Sequence, residues 1–251
     1  MGLRLEKSPY SLDDPRTTLH HRDVILSKPF LKKLYVEWYN QFVDATKELK
    51  GGKILEIGSG GGFLKNVLPE TITSDILDLG TCDMVFSAEK IPLPDNELSA
   101  IVMLNVFHHI PKPFLFLQEA QRVLKKGGKI IMIEPANSFW ARIVYRNFHH
   151  EPFDPKGGWE IESTGPLSGA NGALPWIYFK RDKVEFEKKF PHLKIEKFRY
   201  HTPLRYLVSG GLSLKQLVPS WSFGFFKGME WMMSPLKNQF GMFVTIELRK
   251  I

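Results

Sequence analysis

The run Gly58-Ser59-Gly60-Gly61-Gly62 directly follows a short apolar stretch, Ile54-Leu55-Glu56-Ile57. Glycine has no Cβ, so such a loop can turn sharply and bring its backbone close to a ligand. Asp75 follows Gly58 at a distance where a second strand would end, and a carboxylate there can accept two neighbouring hydroxyls of a ribose. Asp78 is a rival for the same role. Two histidine pairs stand further on: His108-His109, and His149-His150 beside Glu151 and Asp154. Imidazole titrates near neutrality and can move a proton to or from a reacting oxygen. Packing or capping is the simpler reading of His108-His109, and proton transfer is the sharper one. Neighbouring side chains diverge on a helix or strand, so His108-His109 reads as a poor chelating pair and no metal is expected.

Spacing narrows what the loop can bind. A dinucleotide fingerprint would place glycine at 58, 60 and 63, but Phe63 fills the last position. No Gly-Lys-Ser/Thr follows, which excludes a Walker-type phosphate loop. Cys82 is the only cysteine, so no internal disulfide framework and no thiol cluster for zinc can form. The first residues lack a secretory apolar stretch, and no run of about 18 uncharged apolar residues occurs, so nothing is expected to span a membrane. The expected location is cytoplasmic.

The elements that must hold these residues follow from composition and periodicity. The chain has 251 residues, 43% hydrophobic and 24% charged, enough for one α/β domain over 1–251 with sizeable insertions. Residues 1–28 read as an extended arm. Leu31, Leu34, Trp38 and Phe42 predict a helix opened by Ser27 and Pro29 and closed by Gly51-Gly52. Strands are expected at 53–57, 71–75, 83–86, 100–105 and 129–134, with a helix starting at Phe63-Leu64-Lys65 and another opened by Pro111 and Pro113. Only Ile76 to Cys82 separates the second and third strands, too short for a crossover helix. Unbroken apolar strands alternating with helices indicate a parallel sheet covered on both faces. Beyond Pro135 the pattern gives helices at 138–148 and 181–190 and strands at 193–202 and 243–250. A 40-residue insertion lies between those two strands, the length of a binding element rather than a connection.

Charge is uneven: residues 1–136 balance, and the whole net +7 falls in 137–251. An anionic partner or an ordinary solvated surface would each explain this. The insertion carries Arg205, Lys215, Lys227 and Lys237 against Glu230, with Trp221, Phe223, Phe225, Phe226 and Trp231. Phe225, Phe226, Met229, Met232 and Met233 fall on one helical face. A lid over the sheet and an amphipathic element resting on a membrane both fit.

The spacing Glu56-x-Gly58-x-Gly60-x-Gly62 resembles the first motif of the class I S-adenosylmethionine-dependent methyltransferases. Ser87-Ala88-Glu89 with Ile91-Pro92-Leu93-Pro94-Asp95, Asn105-Val106-Phe107-His108-His109-Ile110 and Leu124-Lys125-Lys126-Gly127-Gly128-Lys129 match later segments in order. Over 53–136 the chain is most similar to the ubiquinone/menaquinone-type (methyltransferase type 11) group. Ser87 stands where that group usually has Asp. The resemblance implies a Rossmann-like methyltransferase fold, with a mostly parallel seven-stranded sheet, helices on both faces and an antiparallel last strand. The core would cover about 29–136, 193–202 and 242–251, and C-terminal insertions at about 137–192 and 203–241 would cap the carboxyl edge. It implies S-adenosyl-L-methionine as cofactor, held by Glu56, Gly58, Ser59, Gly60, Gly62, Asp75, Ser87, Ala88, Asn105 and Val106. His150 and His109 are the expected catalytic residues. The expected reaction is methyl transfer, at oxygen, to a small or lipid/saccharide-linked acceptor, with peripheral membrane contact through 204–241. A non-catalytic binding module and a nucleic-acid methyltransferase are the alternatives. No Asn/Asp-Pro-Pro-Tyr/Phe follows the fourth strand, which disfavours nucleic acid.

Overall fold

In the computed structural model, residues 4–5, 8–49, 51–148, 151–162 and 164–251 are described. The apolar runs become strands β1 (Lys53–Ile57), β2 (Thr71–Asp75), β3 (Met84–Val85), β4 (Leu98–Leu104) and β5 (Leu124–Pro135). Strands β6 (Leu193–His201) and β7 (Phe243–Lys250) complete a seven-stranded sheet of order β3-β2-β1-β4-β5-β7-β6. Pairing is parallel from β3 to β5, and β7 runs antiparallel to both β5 and β6. Leu98 to Met103 of β4 and Phe243 to Leu248 of β7 are buried without a break, so both faces of the central sheet are covered.

The helices are α1 (Pro15–Ser27), α2 (Pro29–Thr46), α3 (Pro113–Val123), α4 (Phe139–Phe148), α5 (Leu174–Trp176), α6 (Lys183–Lys189), α7 (Arg205–Val208), α8 (Phe223–Met232) and α9 (Lys237–Phe240). Helix α2 buries the predicted face through Leu31, Leu34, Trp38 and Phe42, and Trp38 lies 4.7 Å, ring to ring, from Phe243 of β7. Helix α3 buries Phe116, Leu117, Ala120 and Val123.

Two expectations give way. The arm at 1–28 contains helix α1, capped by Asp14, whose side chain accepts from the Arg16 N–H. Its buried face is Thr17, Thr18, Val24 and Ile25, half of it hydroxyl, so apolar periodicity could not reveal it. The helix expected at Phe63 is a single 3-10 turn, Leu64–Asn66. Pro69 arrives too soon for more, and Tyr39 of α2 takes the Phe63 N–H with its hydroxyl at 3.1 Å. The link from β2 to β3 is a turn, as its length required. β1 and β4 lie side by side, and the chain leaves them toward opposite edges. Their carboxyl ends therefore flank the crevice where open α/β sheets bind ligands.

Candidate active site

Glu56, buried near the end of β1, accepts from the Ser59 hydroxyl at 2.6 Å. Burial pushes its carboxyl up to about 7, and the nearby Asp75 charge adds to this. Gly58 then turns at φ +67°, and a Cβ on it would stand 2.5 Å from the Val106 side chain. Only glycine lets the loops after β1 and β4 come this close. Asp75 holds the loop from the other side, accepting from Gly60 N–H at 2.8 Å and Leu77 N–H at 2.9 Å. Burial raises its carboxyl too.

Asn105, just after β4, sits at φ +55° with its backbone N–H bonded to Ile133 O. Its side-chain Oδ1 is buried with no hydrogen-bonding partner among the described residues. Burial without a partner is costly, and a polar ligand would answer it. The next turn is organised by Glu134, a fully buried carboxylate at the end of β5. One oxygen accepts from Val106 and Phe107 N–H, at 2.9 and 2.8 Å, and the other from His108 Nδ1 at 2.6 Å.

These residues line one cavity of about 390 Å³. Its lining includes Glu56, the glycine loop, Asp75 and Asn105, together with His108, His109, Glu151, Tyr145 and Tyr206. Helix α1 contributes Thr18, His21 and Ile25 to the same wall. Arg22 donates to Gly62 O at 2.6 Å, and a Cβ on Gly61 would meet the Arg22 N at 2.8 Å. Helix α1 thus lies directly on the loop.

The histidine pair does not diverge. The His108 and His109 rings lie 4.2 Å apart, centroid to centroid, and both Nε2 atoms approach the same carboxylate. His108 Nε2 is 3.4 Å from Glu151 Oε2, and His109 Nε2 is 3.8 Å from Glu151 Oε1. Each ring is anchored separately, His108 Nδ1 by Glu134 and His109 Nδ1 by Gly169 O, and these anchors turn both rings to the Glu151 side. Burial would push His108 down, but Glu134 and Glu151 outweigh it and hold the imidazole up at about 9. His109 is pushed down to about 4 by burial and the neighbouring His108.

Of the predicted cofactor residues, Glu56, Gly58, Ser59, Gly60, Gly62, Asp75, Asn105 and Val106 line this cavity together. Ser87 and Ala88 do not; the Ser87 hydroxyl accepts from Glu89 N–H, and Ala88 packs against the core. His149 and His150 lie outside the described residues. Glu134 was missed, and Glu151 was noted only as a neighbour of His149-His150. Glu134 carried a signal, being the one acid in the apolar run Ile130 to Pro135.

A glycine cradle with two buried carboxylates and an unanswered Asn105 oxygen, at the switch point of a Rossmann-like sheet, defines a nucleoside-type cofactor site. Residues 55–132 match the methyltransferase domain family. Over these residues the chain carries a methyltransferase domain of the kind that uses S-adenosylmethionine as its cofactor. Within that class it resembles the ubiquinone/menaquinone-type group. A demethylmenaquinone methyltransferase of Symbiobacterium thermophilum is 24% identical over 204 residues, covering 71% of this chain and 80% of the relative. Among solved structures, an S-adenosylmethionine-dependent methyltransferase from Thermotoga maritima is similar with a TM-score of 0.52 at 18% identity, over 93% of this chain and 99% of that one. A geranyl diphosphate C-methyltransferase from Streptomyces coelicolor, solved with Mg2+, geranyl diphosphate and S-adenosylhomocysteine, gives 0.50 at 12% identity, over 99% and 92%. Those two likenesses concern the fold.

Proposed function

We propose that the protein methylates an oxygen of a small, saccharide- or lipid-linked acceptor, with the segments 137–192 and 203–241 acting as a cap over the site. The cofactor supplies an activated methyl group on a sulfonium. Glu56, Asp75, Asn105 and the glycine loop hold and orient it, and the cap excludes water while aligning the acceptor. The carrying observation is the His109–Glu151 pairing on the cavity wall. His109 Nδ1 lies 3.0 Å from Gly169 O, a carbonyl that can only accept, so the hydrogen is on Nδ1. Nε2 of the neutral ring then offers a lone pair placed to take the proton that a hydroxyl must lose, and the Glu151 carboxylate beside it would stabilise the imidazolium formed, offsetting the low basicity of the resting ring. His150, next to Glu151 in sequence, stays a second candidate for this work.

Incubation of cell extract with methyl-labelled cofactor, followed by separation into lipid, glycan, nucleic-acid and protein fractions, tests the reading. Label is expected as a methyl ether in the lipid or glycan fraction. Label at carbon or nitrogen, or in nucleic acid, would overturn it. Replacing His109 or His150 by Ala is expected to lower turnover by about 10²–10⁴-fold while sparing cofactor affinity. Unchanged turnover would remove that residue from the mechanism.

A further inference from the structure

We infer that His108, His109 and Glu151 form a binding site for one divalent first-row transition-metal ion, facing the acceptor end of the cavity. One ligand atom from each, Nε2 of both histidines and a Glu151 carboxylate oxygen, lies within 4.8 Å of the others. Metal bonds to imidazole nitrogen and carboxylate oxygen of about 2.0–2.2 Å, at tetrahedral angles, separate ligand atoms by about 3.3–3.6 Å. The observed approaches of 3.4 and 3.8 Å, to the two different oxygens of Glu151, are at and slightly above that spacing, and a small movement of Glu151 would close it.

The outer contacts have the form that metal-binding histidines need. A ligating imidazole almost always donates its other N–H to a carboxylate or a backbone carbonyl, which fixes the tautomer and leaves the remaining nitrogen as the ligand. Here His108 Nδ1 donates to Glu134 and His109 Nδ1 to Gly169 O, so both Nε2 atoms are turned to the Glu151 side. Glu134 is itself held by two backbone N–H groups, and the His108 that it anchors is almost wholly buried. A proton on His108 Nε2 could answer one Glu151 oxygen. A divalent cation would engage all three groups and balance the carboxylates of Glu134 and Glu151.

Two imidazoles and one carboxylate favour zinc-like ions over Mg2+. Three protein ligands also leave a coordination position open toward the cavity, as catalytic rather than structural sites do. Its use in catalysis rests on the oxygen-acceptor reading above: an acceptor hydroxyl bound there would lose its proton more readily, and His109 would serve as ligand instead of base.

Binding is measured on full-length, chelator-stripped protein without an acceptor, by calorimetry with Zn2+ and by the visible absorption of Co2+. One equivalent is expected, with Mg2+ far weaker. Glu151→Gln and His109→Ala are each expected to weaken Zn2+ by more than the ~10–100-fold that losses of outer contacts cause. S-adenosylhomocysteine binding, measured on the same samples, should change little and certifies folding. Glu151 is partly exposed, so its variant provides the test even if the His109 variant unfolds. Substoichiometric binding to the unaltered protein, or Zn2+ affinity unchanged in a folded variant, overturns the site. Since no acceptor is present, that failure leaves oxygen methylation standing. A carbon- or nitrogen-methylated product would sink the acceptor reading and leave the ion site standing.

Discussion

Glu56 carries the pH behaviour of the cofactor site. Its folded value of about 7 lies above the ordinary glutamate range, so the folded protein favours the protonated form. The stability this gives is fully present below the ordinary value and is lost as pH rises through about 7. The cofactor's ammonium and sulfonium charges favour the ionised form, so binding should release a proton. Cofactor affinity is expected to rise from pH 6 to 8, by no more than about tenfold per unit. Calorimetry in buffers of different ionisation heat would detect that proton, and Glu56→Gln should flatten the profile; a flat profile in the unaltered protein refutes it. The residues bound to one loop were readable from spacing: Gly58, Gly60 and Asp75 meet through contacts a few residues to one strand away. Glu134 and Glu151 were not, because their partners at 106–109 are more than 25 residues distant. Only the anchoring of the two rings by distant groups, Glu134 and Gly169 O, makes the histidines converge.

Between elements, Arg205 joins the second insertion to the core. Its guanidinium donates to Glu230 of α8 and to Glu37 of α2, each at 2.6 Å, and Glu230 also accepts from the Leu204 and Arg205 N–H groups. Arg205 and Glu230 are nearly buried. Removing Glu230 therefore leaves the nearly buried guanidinium with Glu37 alone and takes the acceptor from two N–H groups. Glu230→Ala is expected to cost about 3–5 kcal/mol in urea unfolding, and a loss under 1 kcal/mol would show that α8 is held by its aromatic contacts instead. The basic excess that the sequence displayed is thus partly used internally, since Lys227 also pairs with Glu37. The helical face expected at Phe225, Phe226, Met229, Met232 and Met233 divides in two. Phe223 and Phe226 turn toward Phe30, 5.0 and 6.2 Å away, while Phe225, Met229 and Met232 face solvent. Alternating strands and paired helix faces were evident in the sequence because burial writes them as periodicity. Helix α1 and the shortened turn after the glycine loop were not, because hydroxyls and one tyrosine contact decide them.

At the scale of the whole molecule, the same insertion exposes Trp221 (82%), Trp231 (77%), Met232 (74%) and Phe225 (65%), a density of apolar surface unusual for a solvated face. No helix among the described residues is long and apolar enough to cross a membrane. Co-sedimentation with anionic vesicles is expected, falling roughly tenfold or more on replacing Trp221 and Phe225 with Ala, at about 1.5–3 kcal/mol per buried ring. No binding, or no loss in the double variant, would rule out the membrane contact expected from the composition of 204–241. Helix α1 has a different consequence. It is fastened at both ends, through Asp13 to the Leu167 and Ser168 N–H groups and through Lys28 to the Gly211 and Leu214 carbonyls, and Arg22 ties its middle to Gly62. A cofactor lying under such a strap cannot leave sideways past the loop without breaking those bonds. Departure of the spent cofactor is then expected to pace turnover, which rapid mixing would read as a first catalytic cycle faster than the later ones.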